Sequence, residues 1–350
     1  MAKAMRAKRR FCAASFTAAT LATIAIAMLA SAPAWQVAQA ADSQATIHVS
    51  VRRVLLRVLV ADRRTDRPIR GLTADDFIVR DDGVKRPLTY FAAGSSADRP
   101  LTVVLLLDLR VLNHARLGNL ARSAPAALHQ LSSSDEVSVW TMDQARVSEI
   151  QPVTADKTAV AEALGQLAIE NPKSPQFGSG PADALDAILA SFAHVRLKSD
   201  LVVIAFTNDL DAVWQTRAKA IRTGFLSTPG TLDLLIRADR SSKFWHGLAS
   251  VAAPGGFSPS APGLHYSFFS YLARETGGQT VQVSDDDFGA SMIEMLGNVA
   301  ASYLLEFRPP SAEVERRFHS VRVVLRKGAI PNSQRVRLYY RRGYYESSAQ

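Results

Sequence analysis

Apolar positions fall into two regimes along this chain. Between residues 99 and 301, short uninterrupted apolar runs alternate with stretches of helical period, whereas the flanks carry β-rich runs broken by turn residues. The runs 101–107, 137–142, 201–206 and 232–236 are too short to span a bilayer and too uniform for half-exposed strands, so they predict strands buried on both faces of a parallel sheet. Segments 147–150 and 280–283 are shorter and less apolar, and the first suits an antiparallel edge hairpin. Helical period recurs over 117–131, 154–167, 182–195, 213–225, 264–276 and 288–301. Strand–helix alternation of this length predicts a doubly wound, mostly parallel α/β sheet. Asp108 directly follows the first run, which puts its carboxylate at a strand's carboxyl end, where open α/β sheets bind ligands.

Residues 41–98 predict a small β module. Asp66-Arg67-Pro68 punctuates its β-rich opening, and Thr73 is placed to cap a single helical turn with Asp76 in a capping-box position. "FIVRDDGVKRPLTYF" then reads as two short strands joined across Asp82-Gly83. Residues 302–350 hold three more β-rich runs, "SYLLEFRPP", "RFHSVRVVLRK" and "RVRLYYRRGYY", expected to form a small antiparallel sheet or to extend the first module's sheet. The two β segments bracket the α/β core, residues 99–301, and are expected to pack together, away from the end carrying Asp108. The glycine-, serine- and proline-rich stretch 241–262 reads as a long surface loop.

Residues 1–40 combine a basic start, an apolar middle and Ala38-Gln39-Ala40, the pattern of a cleaved secretory signal peptide. Removal would take five basic residues and no acid, lowering the formal charge from +9 to +4, and would remove Cys12, the sole cysteine. A nearly balanced chain gives little reason to expect nucleic-acid binding. Without cysteine, stability in an oxidising compartment must come from core burial. Charge is shared unevenly, with a net +6 over 302–350. A periplasmic or extracellular protein is expected, with attachment to the envelope left open.

"VVLLLDLRVL", residues 103–112, resembles the first strand of a von Willebrand factor A domain, in which Asp-x-Ser-x-Ser holds a divalent cation. The segment around Gly71 to Phe91, and the tail with "FHSVRV" and "RRGYY", resemble the lead-in and tail of bacterial VWFA-related exported proteins. The resemblance implies a von Willebrand A/Rossmann-like fold and binding of a protein partner. Its cation-ligand positions are altered in this chain. Arg110 and Leu112 stand at the two serine positions, and Ala182 stands where the family has threonine, with Ser179 three residues earlier. Asn208 replaces the third acid, with Asp209 one residue on. Magnesium wants near-octahedral oxygen ligands, and neither a guanidinium nor a leucine supplies one. No magnesium or manganese, and no other cofactor, is therefore expected. Arg110 either points to solvent or supplies Asp108 with the missing positive charge, with Asp209 or Asp211 as second acceptor.

Motifs for catalysis are lacking. Gly256-Phe257-Ser258-Pro259-Ser260 departs from a hydrolase elbow, and no phosphate-binding loop, dinucleotide fingerprint or His-Glu-x-x-His occurs. The histidines, His48, His114, His129, His194, His246, His265 and His319, never fall at i, i+4, which argues against a zinc site assembled locally. Phe244-Trp245-His246 and Phe268-Phe269 with Tyr271 are either packing clusters or a partner patch. The expectation is a non-catalytic binding protein without a small-molecule substrate. An enzyme would need Asp108, Asp209 and a histidine such as His114 to converge.

Overall fold

The computed structural model describes residues 53–94, 99–143, 147–170, 185–187, 200–207, 214–227, 230–237, 268–284, 287–310, 317–331 and 335–345. Residues 1–40, most of 182–195, the stretch 241–262 and the positions Ser179, Ala182, Asn208, Asp209 and Asp211 lie outside them.

Six strands form the central sheet: β5 (Leu101–Asp108), β6 (Glu136–Met142), β7 (Val147–Thr154), β8 (Asp200–Thr207), β9 (Gly230–Arg237) and β10 (Thr280–Val283). Their order is β10-β9-β8-β5-β6-β7, parallel except for the β6–β7 pair at one edge. β5 lies in the middle and is buried along its length. Its period of two divides it between two cores. Leu101, Val103, Leu105 and Leu107 pack with α1 (His114–Leu128), α2 (Lys157–Glu170) and α5 (Phe288–Ala300). Val104 and Leu106 face Ile221 and Phe225 of α3 (Trp214–Ser227) and Leu272 of α4 (Phe268–Thr276). Helices thus cover both faces, which is why the β5 sequence shows no polar alternation.

Three boundaries differ from the sequence expectation for local reasons. β7 runs on through Pro152 to Thr154, which an edge strand tolerates because its outward N–H groups have no ladder partner. α2 therefore starts three residues late, after Asp156 accepts hydrogen bonds from the Thr158 and Ala159 N–H groups. α1 starts three residues early, where Asn113 accepts from the Arg116 N–H.

The flanking segments build a β-sandwich together. One sheet has the order β13-β1-β11-β4 and the other β14-β12-β2-β3. The lead-in gives β1 (Val54–Asp62), β2 (Phe77–Asp81), β3 (Val84–Arg86) and β4 (Leu88–Ala93), and the tail gives β11 (Tyr303–Phe307), β12 (Phe318–Leu325), β13 (Val336–Tyr340) and β14 (Gly343–Tyr345). β11 lies between β1 and β4, and β12 between β2 and β14. Inward residues of both sheets, among them Leu56, Val58, Phe77, Val79, Tyr303, Leu305, Val321 and Val323, form the third core.

The hairpin across Asp82-Gly83 is present, with both residues at positive φ as a two-residue I′ turn requires. The strand after it is two strands and not one. Proline has no N–H to donate, so the ladder with β2 ends at Arg86 and the chain crosses at Pro87 to the other sheet as β4. The last run also breaks in two, because Arg341 is drawn inward, where its Nη2 donates to the carbonyls of Phe225 (2.9 Å) and Gly230 (2.7 Å). Arg57 on β1 pairs with Asp200, the first residue of β8, at 2.7 Å. The sandwich thus meets the amino ends of the parallel strands, opposite Asp108.

Candidate functional site

At the carboxyl end of β5 the chain turns through Leu109, Arg110, Val111 and Leu112, and the Val111 and Leu112 N–H groups both donate to the Asp108 carbonyl. Leu112 and Val111 point into the core. This tight turn folds Arg110 back over its neighbour two residues earlier. Its Nε donates to Asp108 Oδ1 and its Nη2 to Oδ2, both at 2.8 Å, and its own N–H donates to Oδ1 at 3.0 Å. The Thr207 hydroxyl, at the end of β8, donates to Oδ2 at 3.1 Å. Asp108 is 1% exposed, and each oxygen accepts two hydrogen bonds.

A bidentate guanidinium supplies a buried carboxylate with positive charge and donors in one plane, the combination that makes burial of an acid tolerable. A divalent ion at this carboxylate would have to displace Arg110 and would find no oxygen on Leu112. Of the positions singled out in the sequence, the structure joins Asp108 to Arg110 and buries Leu112 beneath them. Thr207 was not foreseen as a partner. Its contact depends on β8 lying beside β5 with Leu107 opposite Phe206, a register no local pattern discloses. Among the described residues no histidine bonds to Asp108, and His114 opens α1 instead.

A second polar cluster occupies the opposite end of the sheet, between the strands and the sandwich. Asp200 lies between Arg57 and Arg341; burial raises its pKa, and the two arginines oppose that rise. Asp233 is pushed up to about 7 by burial, against the hydrogen bond it accepts from the Gln279 N–H at 2.5 Å. Burial draws the Arg341 guanidinium down to about 10, with Asp200 opposing. Beside Asp233, Arg57, Thr231, Gln279 and Asn298, together with the apolar Leu59 and Val299, line a small pocket of about 10 Å³, room for about one water molecule. These groups knit the sandwich to the sheet and sit far from Asp108 along the strands.

A six-stranded sheet in this order, with one antiparallel edge and helices on both faces, defines a von Willebrand A-like, Rossmann-like domain. Known structures of similar fold include BatB from Bacteroides thetaiotaomicron, at 14% identity and TM-score 0.39 over 57% of this chain and 98% of that one. A von Willebrand factor type A protein from Catenulispora acidiphila is similar at 8% identity and TM-score 0.43, over 84% of this chain and 74% of that one. The SpRpn10 VWA domain is similar at 11% identity and TM-score 0.38, over 57% and 93%. At these values the likeness concerns fold alone. No family model and no curated protein matches the chain.

Proposed function

We propose that the protein is an exported, non-catalytic binding module that contacts a protein partner through the carboxyl ends of its parallel strands, with Arg110 standing where a von Willebrand A domain holds its cation. The observation that supports this most directly is the closed set of donors around Asp108: two guanidinium nitrogens, one backbone N–H and one hydroxyl. The same donors occupy both oxygens of this carboxylate, which counts against a role for it as a general base. Arg110 keeps 28% of its side chain exposed, so the charge is presented at the surface and not sealed below it.

Melting measurements at matched ionic strength test the cation part. An ion bound at about 100 times its dissociation constant would stabilise the fold by roughly 2.7 kcal/mol. Addition of millimolar magnesium or manganese should leave the melting temperature unchanged, and partner capture from envelope extract should survive EDTA while weakening in Arg110→Glu. A cation-dependent rise of several degrees that disappears in Asp108→Ala would refute the reading. Export is the other part, supported by the basic, apolar and Ala-x-Ala segments of residues 1–40. Amino-terminal sequencing of the natively produced protein should begin at Ala41, and a retained Met1 in a membrane fraction would indicate an anchor.

A further inference from the structure

In the sandwich, at a distance from the strand end discussed above, three side chains meet that no sequence spacing connects. β2 ends in Asp81, the hairpin turn begins with Asp82, and β12 contributes His319. His319 Nδ1 lies 3.1 Å from Asp82 Oδ2 and 3.7 Å from Asp81 Oδ1. One potential ligand atom from each of the three falls within 4.8 Å of the others. The side chains of Asp81 and His319 are 0% and 4% exposed and that of Asp82 is 33% exposed, so the group has two inner members and one at the surface.

Ordinary pairing does not complete this cluster. Asp81 Oδ1 accepts from the Tyr344 hydroxyl at 3.3 Å, and Arg86 Nε stands 3.4 Å from Oδ2, but Oδ2 is buried and receives no hydrogen bond. Asp82 is held in place through Oδ1, which accepts from the Ser320 N–H and hydroxyl. Its Oδ2 is shared by His319 and Arg317, the latter 63% exposed and therefore free to swing away. Tyr344 lies directly opposite His319 on β14, stacks on the imidazole at 5.0 Å and 10°, and donates to Asp81. One residue thus orients two members of the group, as the outer partners of metal ligands do.

We propose that Asp81, Asp82 and His319 form a binding site for a borderline divalent cation of the zinc type, coordinated by His319 Nδ1 and one oxygen of each carboxylate, with the remaining coordination position open. One imidazole and two carboxylates suit zinc, cobalt or nickel better than magnesium, which selects oxygen alone. With bonds of about 2.0–2.1 Å, tetrahedral ligands stand roughly 3.4 Å apart, and the observed separations of 3.1 and 3.7 Å straddle that value. The ion takes the place of the Arg317 guanidinium on Asp82 Oδ2. Arg86 and Arg317 already offset the two carboxylates, which makes this a weaker site than a four-ligand structural one. Because Asp81 and Asp82 belong to the lead-in and His319 to the tail, the ion would clamp the two ends of the chain together.

Tag-free, chelator-treated full chain titrated with Zn²⁺, and with Co²⁺ for its visible absorption, provides the test. One equivalent should bind and raise the melting temperature. Asp82→Asn and His319→Gln should each weaken binding by more than the roughly 10–100-fold that follows loss of an outer partner, and Tyr344→Phe should fall within that range. Asp108→Asn should bind as the wild type does. Asn also accepts the positive φ of position 82, so Asp82→Asn keeps the turn and stays informative if His319→Gln fails to fold. Absence of a one-equivalent Zn²⁺ signal in the wild type, or binding unchanged in a folded Asp82→Asn, would overturn the proposal.

Discussion

Arg110 carries the charge balance of the strand-end site. Its removal leaves Asp108 buried with the Thr207 hydroxyl and one backbone N–H in place of a full ionic partner. Losing charged hydrogen bonds to a buried group costs about 2–3 kcal/mol, so Arg110→Ala should lower the melting temperature by several degrees. Adding Asp108→Asn to that variant should recover part of the loss, since the uncompensated charge is then gone; equal melting of Arg110→Ala and wild type would show that the pair contributes nothing. Arg110→Lys should fall between them, because a single ammonium cannot form the two parallel bonds. At the opposite end, Asp233 has a folded pKa of about 7 against an ordinary 3.8. A raised acid pKa means that the folded state holds the proton more tightly than the unfolded chain. The stabilisation is therefore complete below pH 3.8 and lost as pH rises toward about 7. Asp233→Asn should remove this decline and be the more stable form at pH 8, measurable by denaturant titration at several pH values; an unchanged pH slope would exclude the assignment. The pairing of Asp108 with Arg110 was one of two readings the sequence left open, because spacing places both residues on a strand-end turn but does not fix which way the guanidinium points. Thr207, Asp233 and the Asp81–Asp82–His319 group were not legible, because each contact depends on which strands lie side by side.

Elements of the α/β core could be read from runs and periods, since a strand buried on both faces cannot carry polar residues and a two-sided helix layer demands one apolar stripe per helix. Their boundaries moved where a cap overrode the pattern, at Asn113 and Asp156. Pro87 was visible in the sequence, yet its consequence was not, because crossing between sheets requires a second sheet to receive β4. Gly277 marks where α4 ends against the tail. It sits at φ 91°, and a Cβ there would lie 2.5 Å from the Arg341 nitrogen and the Tyr340 carbonyl carbon. Gly277→Ala therefore pays twice, in backbone strain and in a main-chain clash. A loss of more than about 2 kcal/mol is expected, read from a denaturant midpoint, whereas a neutral result would mean that the helix end and β13 separate without cost. Glycine here serves both the helix end and the close approach of a strand far along the chain.

For the molecule as a whole, the sandwich has no lead-in version and no tail version. β1 is flanked on both sides by tail strands, β11 and β13, and β2 has β12 on one side. A chain truncated after residue 301 should thus lose ordered structure over residues 53–94 as well, and limited proteolysis should cut there first; protection equal to that of the full chain would contradict it. The β character of both ends was evident from composition and turns. Their interleaving was not, because pairing partners some 250 residues apart leave no periodic trace.

That interleaving sets a timetable for biogenesis. Val54 finds its partner in Phe307, 253 residues later, so at roughly 5–20 residues per second β1 waits on the order of 10–50 s for its neighbour to be made. Through that interval the nascent chain carries an apolar strand with both edges bare, a template for pairing with other chains. A holding factor, or passage across a membrane before folding, would keep β1 apart from other chains until β11 arrives, which makes the order of synthesis as consequential for this fold as its final contacts.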